Sequence, residues 1–224
     1  MPLANLTIET PLERFDAVVG EQVANFEGNR FLRRVSNGTV SMANYHALLC
    51  TLFHQTYSGP YTFARAAVNC SWKHEAAKDY LLQHAEEERT HWRWLLNDLV
   101  ATGYRGPNLQ KTPPHPSSQS FIGLLYYVAD EYPIARLAIA SVLEGIGAAH
   151  GGTYGRRLLG ALCLKPSQAT FSLSHAETDK KHIVELHSAI AACELSTEDW
   201  LWMEHAARMA GRLYRDMYDH EAYR

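Results

Sequence analysis

Two segments of the chain place histidines and a carboxylate at the same spacing. Each segment has the pattern His-x-x-x-acid-x-x-His, formed by His84, Glu88 and His91 in the first and by His175, Asp179 and His182 in the second. On a helix, residues at i, i+4 and i+7 lie within a stripe about 60° wide, so each segment directs two imidazoles and a carboxylate to one side. Two such stripes that face each other predict a metal site with nitrogen and oxygen ligands.

A third helix is expected to contribute a further carboxylate. Helical bundles build two-metal sites from carboxylate-x-x-His pairs, here Glu88-x-x-His91 and Asp179-x-x-His182, together with glutamates from other helices. Glu144 stands alone in an apolar stretch, residues 139–148, where burying an unpaired acid is costly. We therefore expect Glu144 to complete a two-metal site with the six residues of the two segments.

The alternative to a metal site is that both segments are solvent-exposed helix faces. Charged neighbours indicate that water reaches part of both segments: Glu86, Glu87, Arg89, Lys180 and Lys181. One such segment alone is more typical of an exposed surface than of a metal site. Two matched segments together with Glu144 favour metal binding. Ligation without thiolate favours iron or manganese over structural zinc.

The elements that carry these residues are expected to be helices throughout. Apolar residues recur at helical spacing, as in Phe15, Val18 and Val19, and strand-like alternation is missing. Turn residues at 36–38, 103–118, 132–133, 165–167 and 195–197 divide the chain into six or seven helices. Ser41 and Ser196 are the expected N-caps, and Pro60 is expected to kink a helix over residues 42–70. The fold class is therefore all-α.

Length and composition bound the class of protein. The 224 residues are 46% hydrophobic and 20% charged, as in one globular domain spanning 1–224. The Pro-rich linker at about 103–118 lies within that domain, because neither half alone holds all the site residues. A net charge of -3 argues against nucleic-acid binding. A start without a basic, apolar leader and the lack of about 18 consecutive apolar residues favour a cytoplasmic, non-membrane protein.

The site residues resemble those of the heme-oxygenase-like diiron oxidases and oxygenases. The match is sharp at residues 84–99, Glu144 and 175–182, and the order of elements agrees over most of the chain. The resemblance implies a heme-oxygenase-like bundle of about seven helices, two Fe ions (Fe²⁺/Fe³⁺) and O2 as co-substrate. The iron ligands that the resemblance implies are His91, Glu144, His175, Asp179 and His182. Many members have a glutamate ligand at the position of His84. Two ligands could replace that glutamate here: Glu88, or His84 alone.

Residues 84–99 are similar above all to the nitrile-forming diiron enzyme of aetokthonotoxin biosynthesis, which acts on a brominated tryptophan. This resemblance implies oxidation of a small substrate, with a tryptophan-like amino acid as the first choice; an external electron donor and a homodimer are both compatible with it. Arg65 and Arg136 are candidates to bind a substrate carboxylate if either is buried. His54 fits a core histidine better than a substrate contact, and His150 lies off the stripe of Glu144, which excludes it as a ligand.

Two other functions stay open. A thiaminase-II-like hydrolase on the same scaffold would use a cysteine nucleophile and a glutamate without metal, so a chelator would leave its activity untouched. The scattered cysteines, Cys50, Cys70, Cys163 and Cys193, read instead as reduced core residues. A non-catalytic metal- or ligand-binding bundle would take up iron without substrate-dependent O2 consumption.

Overall fold

A computed structural model describes residues 10–220, with the side chains of residues 176, 177 and 180 excepted. Over these residues the chain is helical and contains no strand, which confirms the all-α prediction. The α-helices are α1 (Pro11–Phe26), α2 (Arg30–Ser36), α3 (Met42–Asn69), α4 (Glu75–Glu88), α5 (Trp92–Ala101), α6 (Pro116–Glu131), α7 (Arg136–Ile146), α8 (Gly152–Leu162), α9 (Thr170–Ala191) and α10 (Thr197–Asp219). The predicted domain ends, 1–9 and 221–224, lie outside the described residues.

Helix boundaries follow local capping chemistry. The Ser41 hydroxyl accepts a hydrogen bond from the Asn44 amide at 3.2 Å, and the Ser196 hydroxyl accepts one from the Asp199 amide at 3.1 Å. Both serines are the N-caps expected from the sequence, and each forms a capping box. All five predicted breaks separate helices, but further breaks at 27–29, 70–74 and 89–91 divide the chain more finely than expected.

Helix α7 lies at the centre of the bundle. Eight of its side chains are buried, including the charged residues Arg136 and Glu144. A helix buried nearly all round is expected where others surround it, and α7 packs against α1, α9 and α10. A single π-helical turn, Gly147–Gly151, then joins α7 to α8. Such turns often occur at functional sites.

Helix α9 packs against both α7 and α4. Helix α3 packs against α4, α5 and α6 and remains helical across Pro60, while α9 packs against α4, α5, α7 and α8. The buried apolar residues form one continuous core. None of the described helices combines the length and apolar character required to cross a bilayer. The packing brings α4, α7 and α9 together, and these helices carry six of the seven predicted site residues.

Candidate metal centre

The seven predicted residues converge in two adjacent groups. Ligand atoms lie within 4.8 Å of one another in each of three sets: His84, Glu87 and His182; Glu144, Asp179 and His182; and Glu88, His91 and His175. The first two sets share His182 and form the inner group. The third forms the outer group, next to the turn between α4 and α5. The structure thus brings all seven together and adds Glu87.

Glu144 is the central carboxylate of the inner group. Its Oε1 lies 3.3 Å from His84 Nε2, and its Oε2 lies 3.2 Å from His182 Nδ1. Burial acts to raise the pKa of Glu144, but its contacts with His182 and His84 lower that pKa to about 2. Glu144 is 8% exposed, and the two histidines are 2% and 1% exposed. A buried, ionised carboxylate between two imidazoles is suited to a bound cation.

Glu87 contacts the other nitrogen of His182. Its Oε2 lies 2.9 Å from His182 Nε2, so the imidazole is held between Glu87 and Glu144. Burial acts to lower the pKa of His182, but the two carboxylates outweigh that effect and raise it. A carboxylate on the outer nitrogen orients a metal-binding histidine and strengthens it as a ligand. The sequence marked Glu87 only as a sign of solvent, although its position three residues after His84 places it on the same side of α4.

Asp179 completes the inner group against Gly147. Burial and the nearby carboxylate of Glu144 raise the pKa of Asp179 to about 10. Its carboxylate occupies the space where Gly147 has no side chain: a Cβ atom there would lie 1.6 Å from Asp179 Oδ2. Two buried acids this close repel each other unless a proton or a cation lies between them.

Glu88 is the shared acid of the outer group. Its Oε2 lies 2.8 Å from His91 Nδ1 and 3.8 Å from His175 Nε2. Burial acts to raise the pKa of Glu88, but hydrogen bonding and charge from His175 and His91 hold it well below its usual range. His175 Nδ1 donates to the Phe171 carbonyl at 3.2 Å, which directs Nε2 toward Glu88. Trp94 stacks on His91 with ring centroids 4.1 Å apart.

The first segment is not one continuous helix as predicted. Helix α4 ends at Glu88, and His91 lies in a turn directly before α5. The amides of Arg89 and His91 bond to carbonyls three residues back, at 3.4 and 3.2 Å, which tightens the chain. His91 still contacts Glu88, its neighbour three positions earlier, because i and i+3 side chains meet in such a turn as they do in a helix.

Unpartnered polar atoms show that the residues fit a metal. Among the described residues, four buried side-chain atoms make no hydrogen bond, and three of them belong to these groups: His84 Nε2, Glu88 Oε1 and Asp179 Oδ1. His84 Nε2 has the ion-pair contact with Glu144 but no hydrogen bond. Buried polar atoms without partners are rare and costly. Each is an atom type that binds a metal directly, and the mixture of imidazole and carboxylate suits iron or manganese.

Asp98 holds the start of the helix that carries three of the candidate ligands. Its carboxylate is fully buried and accepts from the Thr170 amide at 2.9 Å, the Thr170 hydroxyl at 2.6 Å and the Phe171 amide at 3.0 Å. An acid at a helix N-terminus satisfies free amides and favours the helix dipole. Helix α9 therefore begins at a fixed point on α5.

A cavity of about 140 Å³ adjoins the site. It is lined by the candidate ligands His84, Glu88, Glu144, His175 and Asp179, and elsewhere mainly by apolar and aromatic side chains. None of the four cysteines lines it. Cys70 is buried and Cys50 and Cys193 are partly buried, but Cys163 is exposed at the end of α8, contrary to the core role expected for it.

The remaining candidates from the sequence are two arginines and two histidines, and their positions relative to the cavity show which of them could contact a ligand. Arg65 is half exposed and pairs with Asp130 at the surface, so it cannot bind a ligand in the cavity. Arg136 is 1% exposed and lines the cavity. His54 packs on Phe53 and does not line the cavity. His150 lines the cavity but lies 2.9 Å from the Val23 carbonyl and joins neither group.

The fold is that of the heme-oxygenase-like proteins. A domain of unknown function with a heme oxygenase-like fold, from Shewanella denitrificans, superposes with a TM-score of 0.78 at 20% identity, over 92% of this chain and 90% of that one. The predicted fold is thereby confirmed. No protein-family model matches the chain, and no curated protein matches it in sequence.

A heme oxygenase and a TenA homolog are among the solved structures that share this fold. Heme oxygenase-1 from Synechocystis sp. PCC 6803, solved with heme, has a TM-score of 0.71 at 15% identity over 93% of this chain and 90% of its own. A TenA homolog from Pseudomonas syringae pv. tomato has a TM-score of 0.70 at 10% identity over 92% and 90%. At such identities the likeness establishes the fold alone, and the side chains of the site must indicate the function.

Proposed function

We propose that this chain is an O2-dependent, non-heme diiron enzyme that oxidises a small organic substrate. The inner group would hold one iron through His84, Glu144, Asp179 and His182, and the outer group the other through Glu88, His91 and His175. When bound, the iron pair supplies O2 activation and electron transfer, which the protein's own side chains cannot supply. We further propose a cytoplasmic enzyme with an amino-acid substrate and an external electron donor.

One observation carries the proposal. His84 Nε2, Glu88 Oε1 and Asp179 Oδ1 are buried inside groups of imidazoles and carboxylates but make no hydrogen bond. Leaving a buried polar atom without a hydrogen bond costs about 1 to 3 kcal/mol. A pair of divalent cations would satisfy all three atoms, offset the charges of Glu88 and Glu144, and replace the proton that the raised pKa of Asp179 places on its carboxylate.

The chain's own residues prepare the site for such ions. Glu87 fixes the orientation of His182 through Nε2, and the Phe171 carbonyl does the same for His175 through Nδ1. Tyr80, whose hydroxyl lies 3.3 Å from His84 Nδ1, fixes the third imidazole. These outer contacts set which nitrogen of each ring faces the centre. The apolar cavity beside the ligands limits water and admits a small substrate.

The cavity also bears on the hydrolase alternative. A thiaminase-II-like reaction would need a thiol beside the substrate and an acid or base within reach. None of the four cysteines lines the cavity, and burial raises the pKa of Cys50, Cys70 and Cys193, which reduces their reactivity. TenA homologues share the fold, but the residues around this cavity favour metal chemistry.

The test begins with anaerobic loading of the protein with Fe(II). We expect about two irons per chain and a Mössbauer spectrum of coupled high-spin iron after exposure to O2. The variant His182→Gln should hold markedly less iron, whereas His187→Gln, on the same helix but half exposed and beside Asp16, should load normally. A panel of L-amino acids, with tryptophan and its brominated forms included, should reveal substrate-dependent O2 uptake.

Each outcome separates the candidate functions. A protein that takes up no iron under these conditions is not a diiron enzyme. Iron uptake without O2 consumption by any substrate in the panel would favour the non-catalytic metal-binding bundle. Hydrolysis of thiamine or related pyrimidines that survives a chelator would favour the thiaminase-II-like function.

A further inference from the structure

Among the described residues, Arg136 has the largest side chain that is almost completely buried. It is the first residue of α7, 1% exposed, and lines the same cavity as Glu144, which follows two turns later. Arginine is almost never fully buried unless it is paired, and a buried charge without a partner is costly. A buried arginine at this position is therefore expected to pair with an anion.

The contacts of Arg136 leave its donors largely unused. Nε donates to the Thr62 hydroxyl at 3.3 Å, and the guanidinium carbon lies 3.5 Å from the centroid of the Phe63 ring. Nη1 is buried and has no hydrogen-bond partner. Thr62 and Phe63 thus fix the plane of the guanidinium and leave the Nη1 side available. An aromatic ring on one face and a hydroxyl on Nε hold the group ready for a planar ligand.

Arg136 also lies close to the candidate metal centre. The Phe63 ring under the guanidinium also packs on His84 of the inner group, with ring centroids 4.5 Å apart. Burial lowers the pKa of Arg136 to about 9, although the charges of Tyr80, Glu144 and Glu88 act against that effect. Metal ions at those carboxylates would offset their charge and leave the guanidinium unbalanced.

We propose that Arg136 binds the carboxylate of the substrate, so that the substrate class is a small molecule with one carboxylate and an otherwise largely apolar body, as in an apolar amino acid. The inference rests on the proposed function and specifies what the cavity accepts. A carboxylate can take two parallel hydrogen bonds from one guanidinium, and a single guanidinium balances one negative charge but not the two of a phosphate monoester. The apolar walls of the cavity then receive the rest of the molecule, beside His84 and Glu144.

The wild-type protein provides a test that does not depend on any variant. Octanoate and indole-3-propionate, and the neutral amide of each, would be titrated into anaerobic, Fe(II)-loaded protein by calorimetry. We expect at least one carboxylate to bind roughly ten- to hundred-fold more tightly than its amide, because hydrogen bonds to a charged group are the strong ones. Equal affinities, or no binding by either carboxylate at millimolar concentration, would overturn the assignment.

Variants locate the preference at Arg136. Arg136→Met keeps much of the side-chain volume and removes the charge, so it should bind carboxylate and amide alike. Arg65→Met removes the same charge at the surface and should keep the wild-type preference. Thr62→Val, which removes only the acceptor of Nε, should weaken the preference in part. Circular dichroism melts and iron content verify that each variant is folded; if Arg136→Met does not fold, Thr62→Val decides the location.

The two proposals fail separately. A protein that holds two irons but binds carboxylates no better than amides refutes the role of Arg136 and leaves the diiron proposal standing. A protein without iron that still prefers carboxylates, and loses the preference in Arg136→Met, refutes the diiron proposal and retains the anion site. Arg136→Met with unchanged preference would place the anion site elsewhere and overturn the assignment.

Discussion

Asp179 packs directly against Gly147, where an added Cβ atom would lie 1.6 Å from Asp179 Oδ2. The missing side chain at Gly147 makes room for the carboxylate between α9 and the π-helical turn. Gly147→Ala should therefore displace Asp179 and lower iron affinity roughly tenfold or more. This is comparable to the loss of a residue that orients a metal ligand. Anaerobic Fe(II) titration with a competing chelator measures the change.

Gly160→Ala is the matched control for that substitution. Gly160 lies in α8, and a Cβ atom there would meet nothing within 4 Å. Alanine should stabilise the helix by about 0.5 to 1 kcal/mol and leave iron affinity unchanged. If both alanine variants bind iron like the wild type, the close fit of Gly147 and Asp179 has no bearing on the metal.

Glu87 is expected to act through His182. Glu87→Gln keeps the shape of the side chain but removes the charge beside His182 Nε2, so iron affinity should fall by about 10- to 100-fold. Glu86→Gln is the control, because Glu86 is exposed and pairs with Arg89. Competition titrations would measure the iron affinity of both variants and of the wild type. Equal affinities for Glu87→Gln and Glu86→Gln would contradict the role of Glu87.

Metal loading should stabilise the folded chain. Ligands that bind only the native state add about 2.7 kcal/mol when present at 100 times their dissociation constant. For a chain of 224 residues this corresponds to a Tm increase of roughly 5 to 10 °C. Anaerobic melts with and without Fe(II) would measure it. Asp179→Asn should lose most of the increase, and an Fe(II)-independent Tm in the wild type would argue against a structured metal site.

Asp98 is expected to contribute to stability and, indirectly, to the site. Asp98→Ala removes the acceptor of two buried amides and of the Thr170 hydroxyl, which should cost about 1 to 3 kcal/mol or more. Because the start of α9 is then no longer fixed to α5, iron affinity should also fall. Urea unfolding of Asp98→Ala beside Asp130→Asn, a surface substitution, provides the comparison. A loss no larger than that of Asp130→Asn would contradict the role.

The sequence was sufficient for what depends on local chemistry. Helical periodicity gave the all-α class, and the caps Ser41 and Ser196 lie where side-chain oxygens were expected to begin helices. The matched spacing of the two histidine segments identified residues that the fold brings together. The split between α4 and α5 was missed because the tightening at Arg89 involves no glycine or proline.

Other features depend on contacts between distant parts of the chain. Nothing in the local sequence distinguishes Arg136 from Arg65, yet one is buried and the other pairs at the surface. Glu87 resembles the exposed Glu86, and only the approach of His182 from α9 gives it a role. The fit of Gly147 to Asp179 likewise requires the packing of two helices, because a glycine in sequence can serve many purposes.

The most direct test of the diiron proposal is a crystal structure of the protein grown or soaked anaerobically with Fe(II), with data collected on both sides of the iron absorption edge. We expect two anomalous peaks, one among His84, Glu144, Asp179 and His182 and the other among Glu88, His91 and His175. A map without iron at these groups, in crystals whose side chains are well ordered, would contradict the diiron proposal.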